Sequence, residues 1–419
     1  MRTHAQAVVI GGGLVGCSIL YHLAKLGWRD VILLERDELT SGSTWHAAAN
    51  IHGLHDNNNI TRIQHYTMNL YKELEAETGQ GCGVFQPGSL YLAQTEEREH
   101  QLRLQEAKAK FYGLGFYEVS REEARELHPL AQFDDLRCIM FEPDGGNVDP
   151  SGVTHAYAAG ARLLGAEIER FCPVTGTEAQ PDGSWIVRTE KGDIHTQWVV
   201  NAAGLWGREV AAMAGLALPL QPTEHQYFVT EAIDEVATLG RRLPSIADRD
   251  GEYYFRQEGN GLLIGAYEEK MKFWAEEGTP LDFGHELFDD DLDRIMENVM
   301  RAIDRVPAAA EAEAVGIVPG RTYCLIVTND VMVRRAAARA PLRRPTPARP
   351  AARHSPKRRR TMPAAPSPTT QLLRRLAHHC WHLARGRGVA PQVARQRQDC
   401  ASKRQRQHCQ QNPQRQKRV

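Results

Sequence analysis

The feature that most constrains this chain is a strand, a glycine-rich turn and a helix close to its beginning. The β-branched run VVI at residues 8–10 leads into Gly11-x-Gly13-x-x-Gly16, and a helical pattern follows. A second apolar run, at residues 31–34, ends in Glu35, nineteen positions after Gly16. A βαβ unit that binds a dinucleotide has this order and spacing. The sequence therefore predicts an α/β, Rossmann-like domain with a nucleotide site at the end of its first strand.

Each residue of the unit has a physical role. Gly11 allows a tight turn, Gly13 lets the backbone approach a pyrophosphate, and Gly16 lets the helix pack closely on the strand. The helix N-terminus offers N–H groups and a partial positive charge to the phosphates. We expect Glu35 to accept hydrogen bonds from ribose hydroxyls, and Arg36 beside it belongs to the predicted cofactor site. The motif alone does not separate NAD from FAD.

Composition narrows the class of protein. The length of 419 residues suggests two to three domains, and the 42% of hydrophobic residues are enough for a sizeable core. No apolar run approaches the length of about 18 residues that a membrane span needs. The first strand begins so early that we expect no targeting peptide. The eight cysteines are scattered singly, which predicts reduced thiols, no metal site and a cytoplasmic location.

The small net charge hides a strong asymmetry. Residues 321–419 hold 24 of the 51 basic residues but only two of the 52 acidic ones, so this segment carries +22 and the first 320 residues carry −23. Two different kinds of sequence therefore meet near Gly320. The acidic body argues against nucleic acid as a partner of the whole protein.

Two loops rich in small residues follow strand-like runs. The loop TSGSTWHAAAN at residues 40–50 comes soon after Glu35, and NAAGLW at residues 201–206 ends another apolar run. Small residues there let the chain pass close to a bound cofactor. His46 has the one reactive side chain of the first loop. Without further information, it is either an ordinary hydrogen-bonded loop histidine or a functional one.

Periodicity predicts further elements along the chain. The predicted helices cover residues 59–78, 95–111, 120 onward, 150–165, 207–214 and 288–306. The predicted strands include residues 88–93, 197–201, 225–230, 252–257 and 261–266.

At GSTWHA, residues 42–47, taken with the glycine turn, the chain resembles the dimethylglycine/sarcosine dehydrogenase family, FAD-dependent amine oxidoreductases of the D-amino-acid-oxidase-like superfamily. The resemblance extends over residues 6 to about 318. Further matching segments occur in the same order, namely EAETGQ at 75–80, QPGS at 86–89, DP at 149–150, NAAG at 201–204, HQY at 225–227, YY at 253–254, RQ at 256–257 and ELFDDDLDR at 286–294.

The resemblance implies that FAD, not NAD, is the cofactor. In the family the histidine of the Thr-Trp-His segment bonds covalently to the 8α-methyl carbon of the flavin, and here that histidine is His46. A neutral imidazole nitrogen is nucleophilic and the oxidised flavin is electron-poor, so the bond is chemically reasonable. The resemblance assigns further cofactor contacts to Gly42, Ser43, Thr44, Val174 and Trp206.

The resemblance also implies oxidative N-demethylation of an N-methylated amino acid of the dimethylglycine or sarcosine type. Hydride leaves the N-methyl carbon for flavin N5, and water converts the iminium product to formaldehyde and the demethylated amine. His225 and Tyr254 match the family's active-site histidine and tyrosine, which hold the amine in its neutral form. Tyr253 is the rival of Tyr254, because neighbouring strand residues face opposite ways. The electron acceptor is an electron-transfer flavoprotein or oxygen.

The resemblance implies two interleaved domains. We predict an FAD-binding domain from residues 1–80 and 145–215 and an α+β substrate domain from residues 81–144 and 216–318. Residues 319–419 form a basic, low-complexity tail where the family continues with a segment that closes over the flavin. Three interpretations of the tail are open: a basic arm, a natural disordered tail, or an out-of-frame continuation, which we favour. The alternative function is accordingly a truncated flavin-fold protein that binds FAD poorly and does not turn over.

Overall fold

The computed structural model describes residues 1–268, 272–286, 288–289, 291–311, 322–324 and 332–334. The chain divides into two units, Met1–Leu342 and Arg343–Val419. All residues of the second unit, and with them most of the predicted tail, lie outside the described residues. The three interpretations of the tail therefore all stay open.

The helices of the described residues agree with most of the periodic segments. Their bounds are α1 Leu14–Lys25, α2 Asn58–Thr78, α3 Glu96–Tyr112, α4 Arg121–Leu127, α5 Pro150–Leu163, α6 Gly207–Met213, α7 Asp234–Thr238, α8 Leu292–Arg305 and α9 Ala308–Glu311. A 3₁₀ turn over Gly204–Trp206 precedes α6. A capping box begins α4, since the side chains of Ser120 and Glu123 each accept a hydrogen bond from the other residue's backbone N–H group.

The strands form two large sheets and one small pair. Their bounds are β1 His4–Ile10, β2 Val31–Leu34, β3 Asn50–Ile51, β4 Ser89–Ala93, β5 Tyr117–Glu118, β6 Cys138–Glu142, β7 Gly146–Asn147, β8 Glu167–Glu169, β9 Val174–Ala179, β10 Trp185–Thr189, β11 Gly192–Asn201, β12 Thr223–Val229, β13 Ser245–Asp248, β14 Tyr253–Glu258, β15 Gly261–Ala266, β16 Lys272–Phe273, β17 Thr322–Cys324 and β18 Met332–Arg334.

The first sheet has the order β8-β2-β1-β11-β10-β9, with β18 paired to β11. β1 lies in the centre and pairs in parallel with β2 and β11. Its residues alternate between two cores: Ala7 and Val9 pack with α1 and α5, while Val8 and Ile10 pack on the opposite face. A strand buried on both faces reads as an uninterrupted apolar run, as this one does.

The second sheet has the order β16-β12-β15-β14-β13-β4-β6-β5, with β17 paired to β12. Its pairings are antiparallel except for β13 with β4. On one face, Phe255 and Ile264 pack against Ala302 and Val306 of the α8 region. The opposite face carries Tyr254 and Tyr227, which are described below with the site.

The predicted fold class is confirmed: the architecture is mixed α/β, with a first sheet in which β8, β2, β1 and β11 pair in parallel and the pairings of β10, β9 and β18 are antiparallel, and a second, mainly antiparallel sheet. The strands of the first sheet before residue 202 fall within the predicted FAD-binding ranges, but the division into domains stays a prediction. Two boundaries differ. α8 begins at Leu292 and not at residue 288, and the short strands β17 and β18 continue both sheets beyond residue 319.

Candidate cofactor and substrate site

The glycine turn between β1 and α1 has no room for side chains. Gly11 has a φ of +113°, and a Cβ there would lie 2.4 Å from the carbonyl oxygen of Ala202. A Cβ on Gly16 would lie 1.9 Å from the Gly11 carbonyl oxygen. Such distances are not compatible with any side chain at either position. The turn therefore has the tight geometry and close helix packing that the motif predicts.

Thr44, from the predicted cofactor loop, reaches the N-terminus of α1. Gly13 is the N-cap residue of α1, so the helix has no side-chain cap of its own. The Leu14 N–H donates to Thr44 Oγ1 at 3.1 Å, and a Cβ on Gly13 would lie 3.0 Å from the same oxygen. The turn and the loop thus form one surface, where backbone N–H groups at the start of a helix bind anions well.

Glu35 connects the end of β2 to the glycine turn. Its carboxylate accepts the Gly12 N–H at 2.5 Å and the Asp37 N–H at 2.9 Å. Burial raises the pKa of this carboxyl. The Cys172 N–H donates to the Glu35 carbonyl at 2.8 Å, which brings the start of β9 at Val174 close to the same strand end. Two of the predicted cofactor residues, Glu35 and Val174, therefore lie close to the same strand end.

Arg36 and Trp206 stack on one another beside the loop. The guanidinium carbon of Arg36 lies 3.7 Å from the ring centroid of Trp206. Arg36 also donates to carbonyl oxygens of the segment 281–283, and Trp206 Nε1 donates to the Pro280 carbonyl at 2.9 Å. A Cβ on Gly42 would lie 3.5 Å from the Trp206 ring. The structure thus brings these three predicted residues together, with Arg36 engaged in a protein contact.

Three buried polar atoms of the loop have no hydrogen-bond partner among the described residues. They are Ser43 Oγ, Trp45 Nε1 and Asn50 Oδ1. Buried polar atoms are almost always hydrogen-bonded, so such atoms beside the glycine turn suggest a missing partner. The N-terminus of α1 and the unpartnered hydroxyl of Ser43 together fit a dinucleotide cofactor bound along this loop.

His46 is buried, with 7% of its surface exposed. Burial, with a smaller contribution from the charge of His285, lowers the pKa of His46 to about 4. The imidazole is therefore neutral at physiological pH. Its ring lies 4.9 Å from that of Trp45, and its backbone carbonyl accepts the Tyr227 hydroxyl at 3.3 Å. This contact brings the loop onto the face of the second sheet that carries Tyr227.

Tyr227, Gly265 and Tyr254 lie side by side on three adjacent strands. Tyr227 is paired with Gly265, and Gly265 with Tyr254. A Cβ on Gly265 would lie 2.1 Å from Tyr254 Cζ, so the tyrosine ring lies on the glycine. His225 shares this face with Tyr227, since side chains alternate along a strand. His225, Tyr227 and Tyr254 therefore face the loop of His46.

Tyr253 belongs to the opposite face. It is 1% exposed, donates to Asp248 Oδ2 at 2.8 Å and accepts from Arg305 Nε at 3.2 Å. These bonds fix its ring in the core beneath α8. Of the two neighbouring tyrosines, Tyr254 is the one on the face of the loop.

His225 contacts an acidic residue that the sequence analysis did not include. Its Nδ1 lies 3.1 Å from Oε1 of Glu268, whose side chain is only 4% exposed. Arg256, two residues after Tyr254, donates from Nε to the Ala48 carbonyl at 2.6 Å and so fixes the loop on the sheet. Tyr227 and Arg256 lie two residues after His225 and Tyr254, so strand alternation could have predicted that they share a sheet face. Glu268 lies beyond the end of β15, so alternation could not have predicted its contact with His225.

Two kinds of feature are absent from the described residues. Of the helices in that part of the chain, none combines the length and apolar character that crossing a bilayer requires. No group of three histidine, cysteine or acidic side chains there has an arrangement suited to a metal ion.

Comparison with known proteins gives related chains. Residues 6–340 match the family model described as DAO, FAD dependent oxidoreductase. Mitochondrial dimethylglycine dehydrogenase of Rattus norvegicus is 45% identical over 324 residues, which are 76% of this chain and 38% of that protein. Mitochondrial sarcosine dehydrogenase of Homo sapiens is 38% identical over 309 residues, 72% of this chain and 33% of that one. The chain thus spans well under half the length of these relatives.

Solved structures share the fold at lower identity. L-proline dehydrogenase from P. horikoshii superposes with a TM-score of 0.65 at 24% identity, covering 78% of this chain and 80% of the other. Glycine oxidase from Geobacillus kaustophilus superposes with a TM-score of 0.61 at 24% identity, covering 78% and 83%. At this identity the likeness concerns the fold alone.

Proposed function

Because this chain belongs to the DAO family of FAD dependent oxidoreductases, we propose that it oxidatively demethylates N-methylated amino acids of the dimethylglycine or sarcosine type. Family membership confirms the resemblance inferred from the sequence. The substrate class rests on the relatives, which are named as dimethylglycine and sarcosine dehydrogenases. The observation that carries the proposal is the contact between the His46 loop and the sheet face of Tyr227, since it brings the predicted cofactor loop to a sheet face that carries polar and aromatic side chains.

FAD fits the residues that the structure brings together. The N–H groups at the start of α1 and the Glu35 carboxylate suit the pyrophosphate and ribose of the cofactor. Ser43 Oγ supplies a buried polar atom that has no partner in the described part of the chain. When bound, the flavin supplies an electron-poor ring that accepts a hydride at N5.

His46 is proposed to hold the flavin covalently. A nucleophilic nitrogen must be unprotonated, and burial keeps the pKa of His46 at about 4. One ring nitrogen of His46 would hold the flavin by a bond to its 8α-methyl carbon. The methyl C–H proton would leave, and oxygen would be the two-electron oxidant of the overall reaction. Such a bond prevents loss of the cofactor.

His225 and Tyr254 are proposed to position the substrate and to hold its nitrogen deprotonated. Only an amine with a free lone pair can support the iminium that forms as hydride leaves the N-methyl carbon. Water then adds to the iminium carbon and releases formaldehyde and the demethylated amine. Tyr254 is preferred over Tyr253 because it lies on the face of the His46 loop, whereas Tyr253 is bonded to Asp248 in the core.

The test uses the full chain purified with FAD. Dimethylglycine or sarcosine, added without oxygen, should bleach the flavin absorbance near 450 nm and release one formaldehyde per flavin. Glycine is the matched control because it lacks the N-methyl group and should leave the absorbance unchanged. A protein that binds FAD and is bleached by neither N-methyl amine would support the alternative, a flavin-fold protein that does not turn over. Adding oxygen or an electron-transfer flavoprotein to the reduced protein then identifies the acceptor.

A further inference from the structure

Glu268 lies where it can control which nitrogen of His225 carries a proton. It follows β15 by two residues, beside the middle of β12. Its Oε1 is 3.1 Å from His225 Nδ1 and also accepts the Gln226 N–H at 3.1 Å. A carboxylate only accepts hydrogen bonds, so the imidazole nitrogen facing it must be the protonated one.

Arg294 fixes Glu268 from the other side. The Arg294 Nε lies 2.5 Å from Glu268 Oε2, and both side chains are almost buried, with 11% and 4% exposed. The same guanidinium lies 3.5 Å from Glu224 Oε2. Burial raises the pKa of the Glu268 carboxyl, but the hydrogen bond with His225 and the positive charge of Arg294 lower it by more, so the pKa lies below its usual value and the carboxylate is ionised.

Five described charged side chains form the cluster around this pair, namely Glu224, Glu268, Asp291, Lys272 and Arg294. Of these described acidic groups, Glu268 is the one whose carboxylate contacts the imidazole of His225. Glu224 and Asp291 contact the cations of the cluster instead.

We propose that Glu268 is a positioning residue that fixes the Nδ1–H tautomer of His225 and so presents Nε2, with its lone pair, to the substrate amine. This inference rests on the proposed function, because it assigns His225 the task of taking the ammonium proton. The proton moves from the substrate nitrogen to Nε2, and Glu268 stabilises the resulting cation without itself accepting the proton. Glu268 does not touch the substrate in this role.

The direct test is the tautomer of His225 in the wild-type protein. Histidine labelled with ¹⁵N distinguishes a protonated ring nitrogen from one with a lone pair, and His225→Gln identifies the signal. The expected result is a protonated Nδ1 and an unprotonated Nε2 at alkaline pH. The opposite tautomer in the wild-type protein would overturn the inference, whether or not any variant folds.

Two variants separate positioning from general damage. Glu268→Gln removes the carboxylate from His225, whereas Glu224→Gln, the matched control, alters the same buried network without contacting the imidazole. We expect a loss of the single tautomer in Glu268→Gln only, together with a slower flavin reduction by dimethylglycine, on the order of 10²-fold. Equal behaviour of both variants contradicts the inference. A wild-type protein with the expected tautomer but no flavin reduction contradicts the proposed function alone.

Discussion

The ring of Tyr254 lies on Gly265, so closely that a Cβ at residue 265 would be 2.1 Å from Tyr254 Cζ. Gly265 thus leaves room for an aromatic ring on the sheet face where Tyr227 contacts the predicted cofactor loop. The ring of Tyr267 also packs on Tyr254, with 5.3 Å between the two ring centroids. The position of a proposed active-site hydroxyl therefore depends on a residue that has no side chain.

Replacing Gly265 with alanine should displace the Tyr254 ring. We expect Gly265→Ala to fold and bind FAD but to lose flavin reduction by dimethylglycine by about tenfold or more, because misplacement by about 1 Å can cost 10²-fold. Stopped-flow reduction measures the loss. Gly176→Ala is the control, since its Cβ would make an ordinary van der Waals contact at 3.7 Å from the Arg188 side chain. Unchanged reduction in Gly265→Ala would argue against a role of Tyr254.

Replacing Gly16 with alanine should abolish cofactor binding. The new Cβ would lie 1.9 Å from the Gly11 carbonyl, so α1 must move away from the turn. We expect the ratio of flavin to protein absorbance in purified Gly16→Ala to fall to near zero. Gly81→Ala is the comparison, because nothing lies within 4 Å of its Cβ position. Full flavin content in Gly16→Ala would mean that the cofactor does not use this turn.

Acid precipitation tests the bond from His46. Flavin should stay with the precipitated wild-type protein and pass into the supernatant with His46→Ala. Since the pKa of His46 is about 4, the imidazole is already unprotonated at pH 6, and the rate of attachment should be the same at pH 6 and pH 8. His52→Gln is the control, because burial also lowers the pKa of His52 to about 4. Loss of attachment in His52→Gln as well would count against His46.

Stability should decrease in acid because of His128. It is 1% exposed, its Nδ1 has no partner among the described residues, and burial lowers its pKa from 6.5 to about 4. Between these pH values the unfolded chain binds a proton that the folded chain does not. Each unit of acidification in this window therefore lowers the free energy of unfolding by about 1.4 kcal/mol for this group.

Urea titrations at pH 7, 6 and 5 measure this dependence. His128→Gln should be less stable at pH 7 but lose less on acidification than the wild type. The exposed His100 supplies the comparison, and His100→Gln should follow the wild-type slope. Parallel slopes for all three proteins would show that the pKa of His128 is the same in the folded and unfolded states.

Local patterns predicted the strand, the glycine turn and the helix at the start of the chain. Gly11, Gly16 and Glu35 are close in sequence, so their spacing alone indicated this geometry, whereas their role in cofactor binding stays a prediction. The sequence could not predict whether Tyr253 or Tyr254 lies on the face of the His46 loop, because this depends on which face of the sheet α8 covers. The contact of Tyr254 with Gly265 and the contact of Glu268 with His225 depend on strand pairing, which local sequence patterns do not reveal. The start of α8 was set too early because acidic residues precede it without entering the helix.

The pairing of β1 with β11 and of β4 with β13 has a consequence for how this chain is made. His4 is paired with His195, and Ser89 with Ser245, so each sheet joins segments from distant parts of the chain. Strand β18 of the first sheet and strands β12 to β17 of the second sheet lie in the second half of the chain, so neither sheet is complete when only the first half has left the ribosome. Contacts of such long range slow folding. Any continuous fragment that contains every described strand of one sheet also contains strands of the other, so the two sheets cannot be expressed separately.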